Sequence, residues 1–346
     1  MKAAVLYKPL DLRIEDIDTP KPKNGEILVK VDTSGLCPSD VKIYKYGSSN
    51  VKYPVVLGHE FTGVVYALGD DVESFSEGDK VVVAADAYCG KCEMCKIGKE
   101  NLCYNPLSFG YNINGAHAEF VLVPKRFVDR GGIKKINPKI SLEAMSMAEP
   151  LACTIHSLRI LNLEFSDNLL VIGDGPMGLL HVIAAKALGI NNIAVVGLVK
   201  WKLELAKALG ASYIFNAAES PNIINDIKDI FHNGFAGVVI TVVNQETISE
   251  AMKLASKGGK ISVFAGLPSG QSQFTLDTNI IHYNEVSLMG SSGYTYHEFD
   301  LAYKIIEKEQ DSFLKLVTHR FKLENIYDAI KIWENKDKSL KILITR

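Results

Sequence analysis

Leu169-Leu170-Val171-Ile172-Gly173-Asp174-Gly175-Pro176-Met177-Gly178 runs from four apolar residues into a glycine turn and then a helical pattern. An unbroken apolar run bounded by glycine fits a strand buried on both faces. Residues 176–188 carry helical spacing with proline at the first position, where its missing N–H costs nothing. Gly173, Gly175 and Gly178 have the Gly-x-Gly-x-x-Gly spacing. Between a strand and a helix, such glycines allow a tight turn and close approach of a pyrophosphate to the backbone, while the helix start offers its amides. Gly173, Gly175, Pro176, Met177 and Gly178 are therefore candidate contacts for a dinucleotide. The motif alone is weak, and its weight comes from what surrounds it.

Those surroundings alternate. Residues 193–196, 213–215, 237–243 and 260–264 read as strands, and 201–209, 223–231 and 247–256 as helices between them. Alternation of this kind builds a parallel sheet, and right-handed crossovers make it doubly wound. The second strand ends at Gly197, nineteen residues after Gly178. NAD sites usually place a carboxylate about twenty residues on, to hold the ribose hydroxyls. Its absence removes that bond and a repulsion against a 2′-phosphate. Lys200 and Lys202 follow and could pair with the phosphate, or could simply be solvated charges at a helix start. The balance favours NADP over NAD.

Before this half the texture differs. Residues 27–31, 64–66, 80–84 and 120–123 are short β-branched or aromatic segments separated by turn formers. The change comes near Glu149-Pro150, with helical spacing over 151–161. After 286 the pattern loosens into helical stretches at 298–308 and 325–335 and a closing strand at 341–344, expected to pack back on the first part. A chain of 346 residues suits about two domains. The expected division is a β-rich domain of residues 1–149 and 287–346, and a dinucleotide-binding domain of residues 150–286.

The formal charge of -2 gives no basic footprint for nucleic acid. No apolar run approaches the ~18–20 residues that span a membrane, and Met1–Tyr7 is too soon interrupted by Lys8, Pro9 and Asp11 to be a signal peptide. A cytoplasmic protein is expected. Four of the six cysteines form Cys89-x2-Cys92-x2-Cys95-x7-Cys103 in a polar stretch. In a reducing compartment these read as thiolate ligands. Four sulfurs suit a closed, structural tetrahedral zinc, with an iron–sulfur cluster as the other metal centre of this spacing.

Two further segments carry metal-ligating types: Gly35-Leu36-Cys37-Pro38-Ser39-Asp40 and Gly58-His59-Glu60. A thiolate, an imidazole and a carboxylate are zinc ligands, and three of them leave a coordination place open. Singly, such a histidine or cysteine is more often structural. Together with Gly63, Gly69 and Val72, the second segment reads Gly-His-Glu-x2-Gly-x5-Gly-x2-Val without mismatch. In this the chain resembles the zinc-containing medium-chain alcohol and polyol dehydrogenases over essentially its whole length.

The resemblance implies a GroES-like β-rich catalytic domain beside a Rossmann domain, an α/β architecture with two zinc ions per chain. It makes Cys37, His59 and Glu149 ligands of a catalytic zinc, with Glu60 able to take the place of Glu149. It makes Cys89, Cys92, Cys95 and Cys103 the structural zinc loop, and Ser39 the hydroxyl that takes the substrate proton. Asp40 is expected to orient His59. The family's next relay residue is a histidine, and here that position is Lys42. A glutamate at 149 points to the sorbitol-dehydrogenase-like branch. The implied reaction moves a hydride between a secondary alcohol, a polyol, sugar alcohol or its phosphate, and NAD or NADP. Threonine and short secondary-alcohol dehydrogenases are the neighbouring alternatives, and homodimers or homotetramers the usual assemblies. A non-catalytic zinc- and nucleotide-binding redox sensor is the reading from a different class; it predicts loss of the open-site ligands, which Cys37 and His59 retain. His117, His156, His181 and Cys153 are read as packing or structural groups.

Overall fold

The computed structural model describes residues 1–267 and 270–346. The chain divides into one unit of Met1–Pro150 with Tyr294–Arg346 and another of Leu151–Gly293.

The first unit is built on a seven-stranded sheet. Ile133–Lys135, Lys80–Val83, Glu60–Leu68, Ile27–Gly35, Lys341–Thr345 and Val317–Phe321 follow one another across it, and Phe120–Val123 also pairs with Ile27–Gly35. Val81, Val83, Ile27, Val29 and Phe61 bury their side chains with Phe109 and Phe127 in one core. The β-branched and aromatic composition of these strands suits such a pleated, packed surface. The tail completes the sheet: Leu343 opposes Gly35 in antiparallel register, and Gly35 opposes Glu60 on its other side. Three strands thus meet at Gly35, and only glycine fits there. A Cβ on it would stand 2.1 Å from the Glu60 carboxylate and 2.8 Å from the Lys341 side chain.

The second unit is a six-stranded parallel sheet. Its order is Tyr213–Asn216, Asn192–Gly197, Asn168–Ile172, Phe235–Ile240, Ala255–Val263 and Ser287–Gly290. In chain order that is 3-2-1-4-5-6, the doubly wound dinucleotide-binding arrangement. The opening apolar run is the strand beside the switch point, where the order reverses. Leu169, Leu170 and Val171 are fully buried there.

Among the elements that the sequence reading did not name, three are instructive. Val317–Phe321 reads Val-Thr-His-Arg-Phe and lies at the edge of its sheet, so it lacks an apolar signature. Ser287–Gly290, only four residues long, is the other parallel edge. Because it pairs with Ala255–Val263, the break between units falls after Gly293 instead of after residue 286. Pro38–Tyr46 is a helix whose start was legible in hindsight, with proline at its first position and an acid at the third.

Candidate functional site

The entry to helix Pro38–Tyr46 fixes the first ligand candidate. Cys37 is the helix N-cap residue, and its N–H donates to Asp40 Oδ2 at 3.0 Å. The same carboxylate accepts from the N–H of Gly58 at 3.2 Å. Asp40 therefore ties the Cys37 segment to the His59 segment. Its Oδ1 lies 3.5 Å from His59 Nδ1, and its Oδ2 lies 3.5 Å from His117 Nε2. His117 is in turn anchored through Nδ1 to Ser34 Oγ at 3.0 Å. All of these groups except Cys37 are buried. Burial by itself would raise the Asp40 carboxyl, but the His59 charge and the contacts with both imidazoles hold it well below the usual range. It is an anion aimed at Nδ1, which leaves His59 Nε2 for another partner.

The groups around it suit a shared ion. Cys37, His59 and Glu60 each offer a ligand atom within 4.8 Å of the others. Glu60 opens its strand, and one carboxylate oxygen pairs with buried Lys341 while Oε1 is buried without a hydrogen-bond partner. Burial and then the Glu60 charge push the Cys37 thiol up. Anionic groups thus crowd a buried place where Lys341 is the neighbouring lysine cation. A divalent ion would satisfy the orphaned oxygen and neutralise the crowd, and the thiolate–imidazole–carboxylate set fits zinc with one open place.

Glu149, the other carboxylate that the resemblance offers as a ligand, lies near this set. It sits in the first turn of helix Ala148–Leu161, outside the 4.8 Å set. Burial, opposed by His59 and reinforced by Glu60 and Asp86, raises its carboxyl to about 7. Of the two glutamates, Glu60 is the one whose carboxylate lies within 4.8 Å of the Cys37 and His59 ligand atoms. Sequence reasoning also missed Lys341, 281 residues from Glu60, and Tyr111. The Tyr111 ring centre lies 6.1 Å from that of His59, and burial pushes its phenol pKa up. Nothing in the spacing of either residue marks it. Ser39 Oγ stands 3.5 Å from His59 Nε2, beside the open place. Lys42 follows one turn later on the same helix, half-buried, its ammonium pKa lowered by burial.

Asparagine at position 40 would keep the shape and turn one acceptor into a donor facing N–H groups. Asp40→Asn is expected to weaken zinc at this site by about 10–100-fold without touching the cysteine loop. Chelator competition monitored by metal analysis measures this, and an affinity within twofold of the parent would remove the positioning role.

The four loop cysteines converge as expected. Cys92 Sγ lies 3.5 Å from Cys95 Sγ and 3.9 Å from Cys103 Sγ, and Cys89 Sγ lies 3.9 Å from Cys95 Sγ. A tetrahedron with arms of about 2.3 Å has edges of about 3.8 Å, so one zinc fits; a cluster with several irons between the sulfurs would spread them wider. No disulfide forms. Backbone N–H groups near Lys91 and Cys92 pull the Cys89 thiol down to about 6, which favours the thiolate.

In the second unit, Gly173 has φ of +120° and its Cβ position falls 2.2 Å from Thr241 Oγ1. A Cβ on Gly178 would meet Gly173 O at 1.9 Å, while that of Gly175 meets nothing within 4 Å. Strand and helix therefore close tightly around a turn whose middle is open to a ligand. Pro176 and Met177 follow in the first turn of helix Pro176–Ala187. This geometry fits a pyrophosphate cradle. His181 is buried in that helix, bonded to Met177 O at 2.7 Å and pushed down by burial to about 4, a packing group as read. Gly197 is the last residue of its strand, and Lys200 is exposed. Lys202 is buried, contrary to its reading as a phosphate partner, because the helix turns that face onto the sheet. The corner is not without a carboxylate either. Asp174, from the glycine turn, fills the space beside Gly197.

Comparison with known proteins places this geometry in a family. Residues 23–130 match the alcohol dehydrogenase GroES-like domain, and residues 176–308 match the zinc-binding dehydrogenase domain. The sorbitol dehydrogenase of Bacillus subtilis is 33% identical over 99% of this chain and 97% of its own. An NAD-dependent alcohol dehydrogenase of Sulfurisphaera tokodaii is 34% identical over 97% of this chain and 96% of its own. The solved structure of the alcohol dehydrogenase RspB from Escherichia coli, complexed with NADH, has a TM-score of 0.89 and 30% identity, with 100% of this chain and 99% of that one covered. With both domains matched and relatives spanning the full length, the chain belongs to the zinc-type medium-chain alcohol and polyol dehydrogenase family.

Proposed function

We propose that the chain oxidises a secondary alcohol of a polyol, a sugar alcohol or its phosphate to the ketone, passing a hydride to NAD or NADP. The observation that carries this reading is the convergence of Cys37, His59 and Glu60 within 4.8 Å, with the Ser39 hydroxyl 3.5 Å from His59 Nε2. The relatives' named activities on sorbitol and other alcohols support the substrate class.

When bound, zinc would supply a Lewis acid that lowers the pKa of a substrate hydroxyl, and the nicotinamide would supply the hydride acceptor. The chain's residues do the rest. Cys37, His59 and Glu60 hold the metal, with Asp40 fixing the imidazole and Lys341 fixing Glu60. Glu149, neutral or ionised near pH 7, is a second carboxylate able to exchange with Glu60 as ligand. Ser39, 3.5 Å from His59 Nε2, takes the proton that the alcohol releases. Lys42 carries it outward along the helix. Cys89, Cys92, Cys95 and Cys103 hold the structural zinc. Gly173, Gly175, Pro176, Met177 and Gly178 seat the pyrophosphate, with Gly197 and Lys200 at the adenosine corner. No described helix is long and apolar enough to cross a membrane, and the near-neutral charge fits a cytoplasmic homodimer or homotetramer acting on small molecules, without nucleic acid.

Metal analysis should return two zinc per chain. A panel of polyols, their phosphates, threonine and short secondary alcohols, assayed with both nucleotides, should find turnover strongest among polyols. One zinc per chain and no turnover with any alcohol would leave the non-catalytic alternative standing.

A further inference from the structure

The second strand of the parallel sheet, Asn192–Gly197, ends in glycine where a dinucleotide site ordinarily carries its ribose-binding carboxylate. The space is taken all the same. A Cβ on Gly197 would stand 2.5 Å from Asp174 Oδ2 and 2.6 Å from its Cγ. Asp174 comes from the glycine turn after the first strand, between Gly173 and Gly175, and reaches across to the neighbouring strand's end. There Oδ2 accepts from the N–H of Leu198 at 2.8 Å and of Val199 at 2.7 Å. Both bonds go to Oδ2, and the residue is only half-buried. Val199 is the N-cap of helix Lys200–Leu209 and has no side-chain cap of its own.

We propose that Asp174 supplies from the glycine turn the carboxylate that the strand end lacks, and that it selects NAD over NADP. Gly197 and Asp174 are two halves of one arrangement: any side chain at 197 would expel the carboxylate. The carboxylate acts in two ways. It is a fixed negative charge at the corner where a 2′-phosphate would sit, and it offers an acceptor to the ribose hydroxyls. It also occupies the two backbone N–H groups that such a phosphate would use. Of the lysines just beyond, Lys202 is buried and Lys200 alone is exposed. The preference for NADP drawn from the sequence rested on an empty corner, and the corner is filled.

A carboxylate capping two amides also steadies the turn and the helix start. A purely structural role would weaken both nucleotides equally, so the ratio of affinities separates the two. This inference rests on the reading of the chain as a nicotinamide dehydrogenase. The experiment is equilibrium binding of NADH and NADPH to the zinc-loaded full-length protein, followed by nucleotide fluorescence, with no turnover required. The parent protein should bind NADH at least tenfold more tightly than NADPH. Asp174→Asn should lower that ratio by at least tenfold, equivalent to about 1.4 kcal/mol. The double change Asp174→Gly with Gly197→Asp, which moves the carboxylate onto the strand end, should restore it.

Equal binding of the two nucleotides by the parent, or an unchanged ratio in a folded Asp174→Asn protein, overturns the role of Asp174 and leaves the dehydrogenase reading intact. Failure of the parent to bind either nucleotide overturns both. Should Asp174→Asn not fold, Asp174→Ser, which keeps a small acceptor at the turn, carries the same test with the same expected fall in the ratio.

Discussion

His59→Ala is expected to lower turnover of the best alcohol substrate by about a thousandfold or more, some 4 kcal/mol of barrier, while zinc falls from two per chain to one. The loss is this large because the imidazole is bound into everything around it. Asp40 Oδ1 lies 3.5 Å from its Nδ1, Ser39 Oγ lies 3.5 Å from Nε2, and Cys37 and Glu60 lie within 4.8 Å. Without it, Cys37 and Glu60, whose Oε1 is buried without a partner, are left to face each other around a poorly held ion. The remaining zinc should stay in the cysteine loop, so the thermal midpoint should fall by less than activity suggests. Metal analysis with steady-state kinetics checks both parts. Turnover within tenfold of the parent, or two zinc retained, would sink the assignment of the open site to this set.

Cys103→Ala is expected to do the converse. It should remove the loop's zinc and lower the thermal midpoint by roughly 10 °C, with the Cys37–His59 zinc retained. The loop has little else to hold it. The helix Glu93–Lys96 and the turn Glu100–Leu102 are each under two turns long and bury none of their residues. The sulfurs also act as acceptors for the N–H groups of Cys89, Cys92 and Asn105, so the folded loop depends on thiolates that only a cation makes stable at such separations. Calorimetry and zinc content of the variant settle the matter. An unshifted midpoint with two zinc still bound would show that Cys103 is not a ligand.

Much of this was readable before any fold was known, because the decisive signals are local. Strand, glycine turn and helix lie within ten residues of each other, the cysteine ligands within fifteen, and Cys37, Ser39 and Asp40 on one helix start. What was missed follows the same logic. Val317–Phe321 and Ser287–Gly290 are edge strands, whose polar or short sequences carry little periodicity. Lys202 read as a surface cation because sequence does not say which face of a helix turns inward when a charged residue occupies it.

The sequence by itself determined the alternating parallel-sheet half, the convergence of the cysteine loop and the nucleotide turn, since each follows from residue types at short spacing. Only the tertiary structure decided that Lys341 neutralises Glu60, that His117 braces Asp40, that Glu149 stands back from the ligand set, and that Asp174 fills the place left by Gly197. Each of these depends on strand register and on side chains reaching from one element to another. Such contacts are fixed by packing of the whole sheet and leave no trace in the spacing of residues along the chain.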